Sequence, residues 1–263
     1  MSFDRSRSIA GALYEVASSS STNTELSARA DREGMHDMTV MLTRYQSAGR
    51  GRLGRAWNAP PGAAVAASVL LRPRLPDGSA PAPDRLGWVP LIAGVSMAAA
   101  IRAALPGRSV GFKWPNDVLV EGRKICGILA ELLPTGTGVV VGSGFNTRMT
   151  AEELPVPTAT SLAVEGALVD DALEDAVLAA YLEGLRDRLA RYLAAGADAE
   201  ASGIRAEARG VCLTLGRIVR IELPDGVDLD GTAIDLDDDG RLVVADRDGV
   251  RRSVAAGDVT HVR

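Results

Sequence analysis

The chain has 263 residues and a formal net charge of −5, with 46% hydrophobic and 24% charged residues. That length suits one large domain or a domain with a small one, and the composition is ordinary for a soluble globular protein. The negative charge argues against a surface built as a whole for nucleic acid, and no run approaches the ~18 apolar residues of a membrane span, so we expect no membrane partner.

The spacing of apolar residues predicts the elements of the first half of the chain. These are a short helix over 8–17, a strand over 38–45, an apolar strand closed by Pro73, a loop over 74–84 and a helix over 85–105. Serine and threonine residues within 18–23 are suited to cap a helix. Three further strand-like stretches, "VGFKW" with "DVLVEG", "KICGILAELL" and "TGVVVGSGFN", are separated by turns at Gly122 and Gly136, which favours hairpins.

A loop over 150–160 separates these strands from predicted helices near 170–195 and 198–208. From 211 onward the sequence consists of short alternating runs separated by turns such as Asp225-Gly226 and Asp239-Gly240. This pattern predicts a small acidic all-β module that forms a barrel. We therefore divide the chain into a domain over 1–209 and a second over 210–263.

The residues that most often carry redox or metal chemistry are sparse. Cys126 and Cys212 form no C-x-x-C pair, and His36 and His261 lie far apart, so we expect no protein-bound metal site and no histidine-based catalysis. The N-terminus lacks the pattern of a signal peptide. We therefore expect a cytoplasmic protein in which both thiols are free.

The stretch "GRGRLG", residues 49–54, matches the dinucleotide pattern G-x-G-x-x-G, but the prolines of the following "RAWNAPPG" prevent a helix from starting there. No acidic residue occurs between Asp37 and Asp77, although six arginines do: Arg44, Arg50, Arg52, Arg55, Arg72 and Arg74. In an acidic chain this predicts a loop that binds an anion through glycine N–H groups and guanidinium groups. A solvated basic turn and a basic arm for RNA are the alternatives.

A second stretch, "FKWPNDVLVEGRKICGILAEL", brings Lys113, the turn Asn116-Asp117 and Lys124 together in sequence. Lys124 starts an apolar strand, where a buried ammonium group needs a partner. The alternative is a lysine at the end of a strand that extends back to water. We single out Lys124 as a candidate site residue.

Taken together, "SSTN", "YQSAGRGRLGRAW", "KWPNDVLVEGRKICGIL" and "GSGFN" resemble the bacterial biotin–protein ligases in order and spacing. The resemblance implies an α+β fold, in which a mixed sheet flanked by helices (a class II synthetase-like ligase core) precedes a small SH3-like C-terminal β-barrel. It also implies a two-step reaction. Biotin and ATP with Mg²⁺ give biotinyl-5′-AMP and pyrophosphate, and the biotinyl group then passes to one lysine of the biotin carboxyl carrier domain of a carboxylase.

The resemblance further implies which residues form the site. The candidate catalytic residues are Lys124, Arg52 and Asp117, with Lys124 between the biotin carboxylate and the α-phosphate. The biotin-binding residues would be Ser21, Thr22, Gln46, Gly49, Arg50, Arg52, Lys124, Gly127 and Gly142. The ATP- and adenylate-binding residues would be Arg50, Arg52, Arg55, Trp57, Lys113, Asn116, Lys124 and Asn146. A carboxylate is already ionised at neutral pH, so this reaction needs neutralisation of charge rather than a general base.

Regulatory members of the family carry a winged-helix domain ahead of the ligase. Only about 20 residues precede "SSTN" here, so we expect no DNA partner, and we expect a monomer or weak homodimer. Two alternative functions stay open: a lipoate–protein ligase of related fold, and a non-enzymatic RNA-binding protein that uses the Arg/Gly stretch.

Overall fold

The structure, a computed structural model, describes residues 3–222, 228–255 and 257–261. Five helices are present in these ranges: α1 (Asp4–Ile9), α2 (Thr22–Ala30), α3 (Trp88–Ala104), α4 (Asp171–Ala194) and α5 (Ile204–Val211). Seven strands form the larger sheet: β1 (Ala12–Glu15), β2 (Thr39–Thr43), β3 (Ala64–Leu71), β4 (Val110–Lys113), β5 (Asp117–Val120), β6 (Arg123–Leu132) and β7 (Val139–Asn146).

The larger sheet is mixed, with the strand order β1-β2-β3-β7-β6-β5-β4. Strands β1 and β2 pair in parallel, and every other neighbouring pair is antiparallel. The turns predicted at Gly122 and Gly136 are confirmed: both glycines have positive φ and join β5 to β6 and β6 to β7. An antiparallel hairpin requires such turns, and glycine adopts them without steric cost.

Both faces of this sheet are covered, which explains the unbroken apolar run of β3. On one face Val69 and Val141 pack in the main core with α3 and α4. On the other face Leu70 and Val140 pack with Leu26 of α2 in a smaller cluster. Successive side chains of a strand point to opposite faces, so a strand buried on both sides is apolar throughout.

Helix α3 and the turn before it, Pro83–Ala104, are long and apolar enough to cross a membrane by composition alone. In the structure 67% of their most apolar stretch is buried. The Trp88 and Ile92 side chains, both 0% exposed, belong to the main core. Their apolar character is thus explained by packing between the sheet and α4.

Two predicted helices are wrong in their bounds. The segment 8–17 is mostly not helical, because the chain leaves α1 at Ala10 and Ala12–Glu15 pairs with β2 as a parallel strand. The second predicted helix begins too early. Residues 198–203 form turns in which the Asp198 carboxylate accepts backbone hydrogen bonds. Helix α5 starts only after Gly203, whose φ is +74°. Local hydrogen bonding by aspartate competes with helix in this way.

The C-terminal strands form a separate antiparallel sheet of five strands in the order β11-β10-β9-β8-β12. These strands are β8 (Ile218–Glu222), β9 (Asp228–Leu236), β10 (Leu242–Ala245), β11 (Arg251–Val254) and β12 (Asp258–His261). The predicted turn Asp225-Gly226 lies outside the described residues. The domain boundary at 209/210 stays a prediction, and helix α5 runs through it to Val211.

The two sheets are connected through buried indole groups. Trp114 Nε1 donates to Gly240 O at 3.0 Å, and Trp88 Nε1 donates to Asp238 O at 2.8 Å. Trp114 is 2% exposed and directly precedes the Pro115-Asn116 turn. The C-terminal module therefore packs against the back of that turn.

Candidate active site

A cavity of about 170 Å³ opens on the face of the larger sheet that carries α2. Its floor is made by three neighbouring strands, β3, β7 and β6. The strand register places Ala66, Gly144 and Gly127 side by side, one from each strand. Small residues in one row across three strands leave space where other rows would place side chains, and this space is the cavity.

Larger side chains from outside the floor lie over its glycines. A Cβ at Gly142 would lie 2.3 Å from Asn23 Oδ1, and one at Gly144 would lie 2.6 Å from Trp57 Cε2. At these separations a side chain at 142 would displace Asn23 and one at 144 would displace Trp57. Asn23 and Trp57 thus depend on glycine for their places beside the cavity.

The N-terminus of α2 supplies one polar wall. Ser21 caps the helix, since its hydroxyl accepts a hydrogen bond from Thr24 N, which confirms the capping role expected for 18–23. Gln46 Oε1 accepts hydrogen bonds from Thr22 N at 2.7 Å and from the Thr22 hydroxyl at 3.1 Å. Neutral hydroxyl and amide groups therefore line this end.

The stretch 49–57 folds back on itself as a short hairpin, which we call the arginine hairpin. Trp57 N donates to Gly49 O at 2.8 Å, and Gly51 N donates to Arg55 O at 2.7 Å. A Cβ at Gly49 would lie 2.4 Å from Trp57 O, so the first glycine of the motif permits the two chain segments to approach. The tip, Arg52–Gly54, is a tight turn in which Leu53 has a positive φ of 56°.

Distant segments supply counter-charges to the arginine-rich window, which the sequence did not show. Arg50 Nη2 lies 3.0 Å from Glu131 Oε2 of β6. Arg44 Nη2 lies 2.7 Å from Glu174 of α4, and Arg72 Nη2 lies 3.1 Å from Asp31. Arg44 and Arg72 therefore hold structural ion pairs and do not belong to the anion-binding loop predicted from the glycine-rich stretch.

Three arginines of the hairpin do line the cavity: Arg50, Arg52 and Arg55. Arg52 Nη1 donates to Asn116 Oδ1 at 3.2 Å, which links the hairpin tip to the turn before β5. Burial lowers the pKa of the Arg52 guanidinium, partly offset by the Asp117 carboxylate. The group stays charged at neutral pH, so burying it favours an anion beside it.

Lys124 lies on the opposite wall, above Gly127. Its Nζ is 2.7 Å from Asp117 Oδ1, and the lysine side chain is 43% exposed. The prediction that Lys124 is buried is therefore wrong: at the start of β6 its side chain lies in the open cavity rather than in the core. Its partner is the Asp117 carboxylate, whose Oδ1 is buried without accepting a hydrogen bond of normal geometry.

Lys113 lies on β4 near this pair. Burial lowers the pKa of the Lys113 ammonium, and the nearby Lys124 and Arg55 charges lower it further, against the opposing effect of Asp117. The cationic groups around Asp117 thus exceed the carboxylates there. Such a wall favours a ligand that brings its own negative charge.

The structure brings most of the predicted site residues to this one cavity. Those lining it are Ser21, Thr22, Gln46, Arg50, Arg52, Arg55, Trp57, Asn116, Asp117, Lys124, Gly127 and Gly142. Three predicted residues do not line it: Gly49, Lys113 and Asn146. Asn146 is 8% exposed, and its Nδ2 donates to Thr160 O at 2.8 Å.

Asn23 lies in the "SSTN" motif but was not predicted as a site residue. Asn23 is 5% exposed; its Nδ2 donates to Glu131 Oε2 at 2.8 Å and its Oδ1 lies 2.6 Å from Ser68 Oγ. Ser68, a buried hydroxyl within the apolar β3, was also missed. A lone polar residue in a fully buried strand is the signal that identifies it.

The described residues 3–222, 228–255 and 257–261 contain no group of three or more His, Cys, Asp or Glu side chains able to hold a metal ion. Cys126 and Cys212 are free, as expected, and both are buried. Burial raises the pKa of each thiol, so both are protonated at neutral pH. Their chemistry does not contribute to the cavity.

Comparison with known proteins identifies this arrangement. Residues 15–146 match the biotin/lipoate A/B protein ligase family, and residues 214–262 match the biotin protein ligase C-terminal domain. The biotin–[acetyl-CoA-carboxylase] ligase of Mycobacterium tuberculosis is 38% identical over 95% of this chain and 89% of that protein. The bifunctional ligase/repressor BirA of Bacillus spizizenii is 28% identical over 92% of this chain and 70% of its own length.

Solved structures agree on the fold. The biotin protein ligase of Aquifex aeolicus in complex with biotin and ATP has a TM-score of 0.72 and 23% identity, covering 95% of this chain and 98% of that one. The biotin acetyl coenzyme A carboxylase synthetase of Helicobacter pylori has a TM-score of 0.61 and 18% identity, covering 92% of this chain and 98% of that one. The α+β fold class with its SH3-like C-terminal sheet is thus confirmed.

Proposed function

This chain belongs to the biotin/lipoate A/B protein ligase family and is a biotin protein ligase, and we propose that its cavity forms biotinyl-5′-AMP and passes the biotinyl group to a lysine of a carboxylase biotin carrier domain. One observation carries the assignment to this cavity. Neutral hydroxyl and amide groups and a set of cationic groups line the same cavity, over a floor of small residues. A ligand with a polar uncharged ring and an anionic end fits that division.

We assign the biotin ring to the wall formed by Ser21, Thr22 and Gln46. Gln46 Oε1 is occupied by Thr22, so its amide NH₂ group is available as a donor towards the cavity. The glycine at 142 brings the backbone of β7 within reach of the same end. Asn23 holds this wall in place through Ser68 and Glu131.

We assign the biotin carboxylate and the ATP phosphates to the wall formed by Lys124, Arg52, Arg50 and Arg55. In the first step a carboxylate oxygen of biotin attacks the α-phosphorus of ATP, and the bond to pyrophosphate breaks. Two anions must approach each other, and charge develops on the departing pyrophosphate. Cations fixed in advance beside both groups lower that barrier.

Asp117 fits a role with Mg²⁺ that accompanies ATP. It is the single carboxylate lining the cavity among the residues that the structure describes, and its buried Oδ1 retains acceptor capacity. Mg²⁺ is commonly held by one or two carboxylates together with substrate phosphates. The ion would supply further neutralisation of phosphate charge.

In the second step the amine of the acceptor lysine attacks the carbonyl carbon of biotinyl-5′-AMP, an amide bond forms and AMP leaves. The attacking amine must lose a proton on the way. Asp117 lies on the wall where the carbonyl carbon would be, next to Lys124, and we assign it to orient the incoming amine. Its ion pair with Lys124 holds the carboxylate beside that position.

Mass spectrometry of a carrier domain after incubation with this protein and ATP tests the proposal. With biotin we expect one added biotinyl group, and with lipoate no addition, which separates this function from that of a lipoate–protein ligase. Modification with lipoate alone would assign the cavity to the other acid. Saturable binding to labelled RNA without any acyl transfer would instead support the non-enzymatic alternative.

We place the protein in the cytoplasm, which its two free thiols support. The expected lack of DNA binding and the expected monomer or weak homodimer stay predictions. Footprinting on the promoter of biotin genes tests for DNA binding. Sedimentation with and without biotin and ATP measures the oligomeric state.

A further inference from the structure

Glu165 is a buried carboxylate behind the cavity wall, outside the residues that line the cavity. Its side chain is 0% exposed. Oε1 accepts a hydrogen bond from the Thr160 hydroxyl at 2.6 Å and another from Arg123 Nη2 at 2.7 Å. Both partners are neighbours of Lys124: Arg123 precedes it in sequence, and Thr160 contacts it through the backbone.

The backbone N–H and C=O of Lys124 both form hydrogen bonds with the segment 158–160. Lys124 N donates to Thr158 O at 2.7 Å, and Thr160 N donates to Lys124 O at 2.8 Å. On its other side, next to β5, the register shifts between Val118 and Leu119. The strand is irregular where Lys124 begins it, so the segment 158–160 fixes its backbone position there.

Asn146 supports the same segment. Its Nδ2 donates to Thr160 O at 2.8 Å, and its own carbonyl oxygen accepts a hydrogen bond from Leu162 N at 3.1 Å. The segment therefore touches Lys124 on one edge and is held from behind by Asn146 and Glu165. Asn146 thus supports the segment that contacts Lys124, rather than contacting the adenylate directly.

We propose that Glu165 is a positioning residue for adenylate formation, which holds Arg123 and Thr160 and thereby fixes the backbone from which Lys124 reaches the cavity. The inference rests on the proposed function of Lys124. A buried carboxylate is costly unless cations and donors satisfy it, and here the compensating groups are those flanking Lys124. Arg108 Nε adds a second cation at 3.7 Å from Oε2.

The test is a double-mutant cycle on the rate of pyrophosphate release with biotin and ATP. Its variants are Glu165→Gln, Lys124→Ala and the pair together. If Glu165 acts through Lys124, Glu165→Gln lowers kcat about tenfold, leaves the KM for biotin within about twofold, and has little further effect when Lys124 is already alanine. Equal tenfold losses in both backgrounds would overturn the proposal, because they would show that Glu165 acts independently of Lys124.

Asp175→Asn is the matched control. Asp175 is also a buried carboxylate, 5% exposed, but its hydrogen bonds go to Ser6 and Arg5 of α1, away from the cavity. We expect this variant to lower the thermal midpoint and to leave kcat unchanged. An equal loss of kcat in Asp175→Asn would mean that general destabilisation explains the effect, and the proposal would fail.

A second pair of variants covers the case in which Glu165→Gln does not fold. Thr160→Val removes the hydroxyl that Glu165 accepts from, and Thr160→Ser keeps it. We expect loss of kcat in the valine variant and recovery in the serine variant; no difference between them overturns the proposal. If Lys124→Ala itself retains near wild-type turnover, the proposed role of Lys124 fails, which is a result distinct from failure at Glu165 alone.

Discussion

The indole of Trp57 lies directly against Gly144, so that a Cβ at 144 would be 2.6 Å from Cε2 of the ring. Trp57 N is also bonded to Gly49 O across the base of the arginine hairpin. The base of the hairpin, at Gly49 and Trp57, therefore packs against the sheet, whereas Leu53 at the tip is 67% exposed. The base makes tertiary contacts with the sheet, and the tip is largely exposed to solvent.

This difference predicts a change in hydrogen exchange on ligand binding. Exchange of backbone amides in 46–58 should slow markedly when biotin and a non-hydrolysable ATP analogue are added, because ligand anions pair with Arg50 and Arg52 and close the hairpin over the cavity. Strand β3, which is buried throughout, serves as the reference and should not change. Slow exchange in 46–58 without ligand, unaltered by its addition, would show a rigid turn.

Removing the Arg52 side chain should weaken retention of the intermediate. Arg52→Ala loses the cation at the hairpin tip and its bond to Asn116, so biotinyl-5′-AMP should escape into solution faster than from the wild-type protein. Rapid filtration followed by quantification of free biotinyl-5′-AMP measures this. Arg74→Ala, an exposed arginine of the same sequence window that does not line the cavity, is the control and should retain the intermediate.

Lys124→Ala should slow adenylate formation by about a hundredfold or more, which corresponds to roughly 2.7 kcal/mol of lost transition-state stabilisation. The thermal midpoint should change little, since the lysine side chain is 43% exposed and lies in the open cavity rather than in the core. Pyrophosphate release measures the rate. Turnover close to that of the wild type would remove Lys124 from the reaction.

Gly142→Ala should impair biotin binding. The added methyl group would meet Asn23 Oδ1 at 2.3 Å, and displacing Asn23 disturbs the neutral wall through Ser68. Overpacking of this kind typically costs about 1–3 kcal/mol, so the Kd for biotin should rise roughly tenfold or more in calorimetry. Gly210→Ala is the control: a Cβ there meets no atom within 4 Å, and binding should be unchanged.

Buried thiols predict a loss of stability in alkali. Burial raises the pKa of Cys126 and Cys212 above the ordinary value of 9.0. The folded chain therefore keeps both protons where the unfolded chain releases them, so this contribution is full below pH 9 and is lost as the pH rises further. Urea unfolding at about pH 8 and about pH 10 measures the loss, to which Tyr181 and Tyr192 add at the upper end because burial raises the pKa of each as well.

Replacing both cysteines by alanine should make this alkaline decline shallower. A thiol reagent supplies a second measurement: native protein should react far more slowly than protein unfolded in urea. Equal reaction rates for the two forms would contradict the burial of both thiols.

Much of the fold follows from local pattern. Helix α4 and the hairpins at Gly122 and Gly136 have strong periodicity, caps and turn glycines, and the structure places them close to their predicted bounds. The segment 8–17 failed because its strand is short and pairs with β2, a partner 27 residues away in the register Ala12 to Thr39. Spacing within a segment carries no information on such a partner.

The candidate site, like the fold, was predicted in part from the sequence. The basic, glycine-rich pattern pointed to Arg52 and the apolar strand to Lys124, whereas Gln46 came from the family resemblance; all three line the cavity. The counter-charges of Arg44 and Arg72 come from residues far away in sequence or from beyond the window, and no pattern within the window predicts them. No sequence pattern predicted a role for Glu165 either, because the role of a single glutamate in a loop depends on its tertiary contacts.

The two lysines beside Asp117, Lys113 and Lys124, are also the sole lysines of the sequence, whose other 27 basic side chains are arginines. An acyl phosphate reacts with primary amines, and guanidinium groups do not compete because they stay protonated. The protein surface thus presents almost no nucleophile to an intermediate that escapes. Self-labelling of lysine is confined to two positions, Lys124 in the cavity and Lys113 beside Asp117, where peptide mapping would find it.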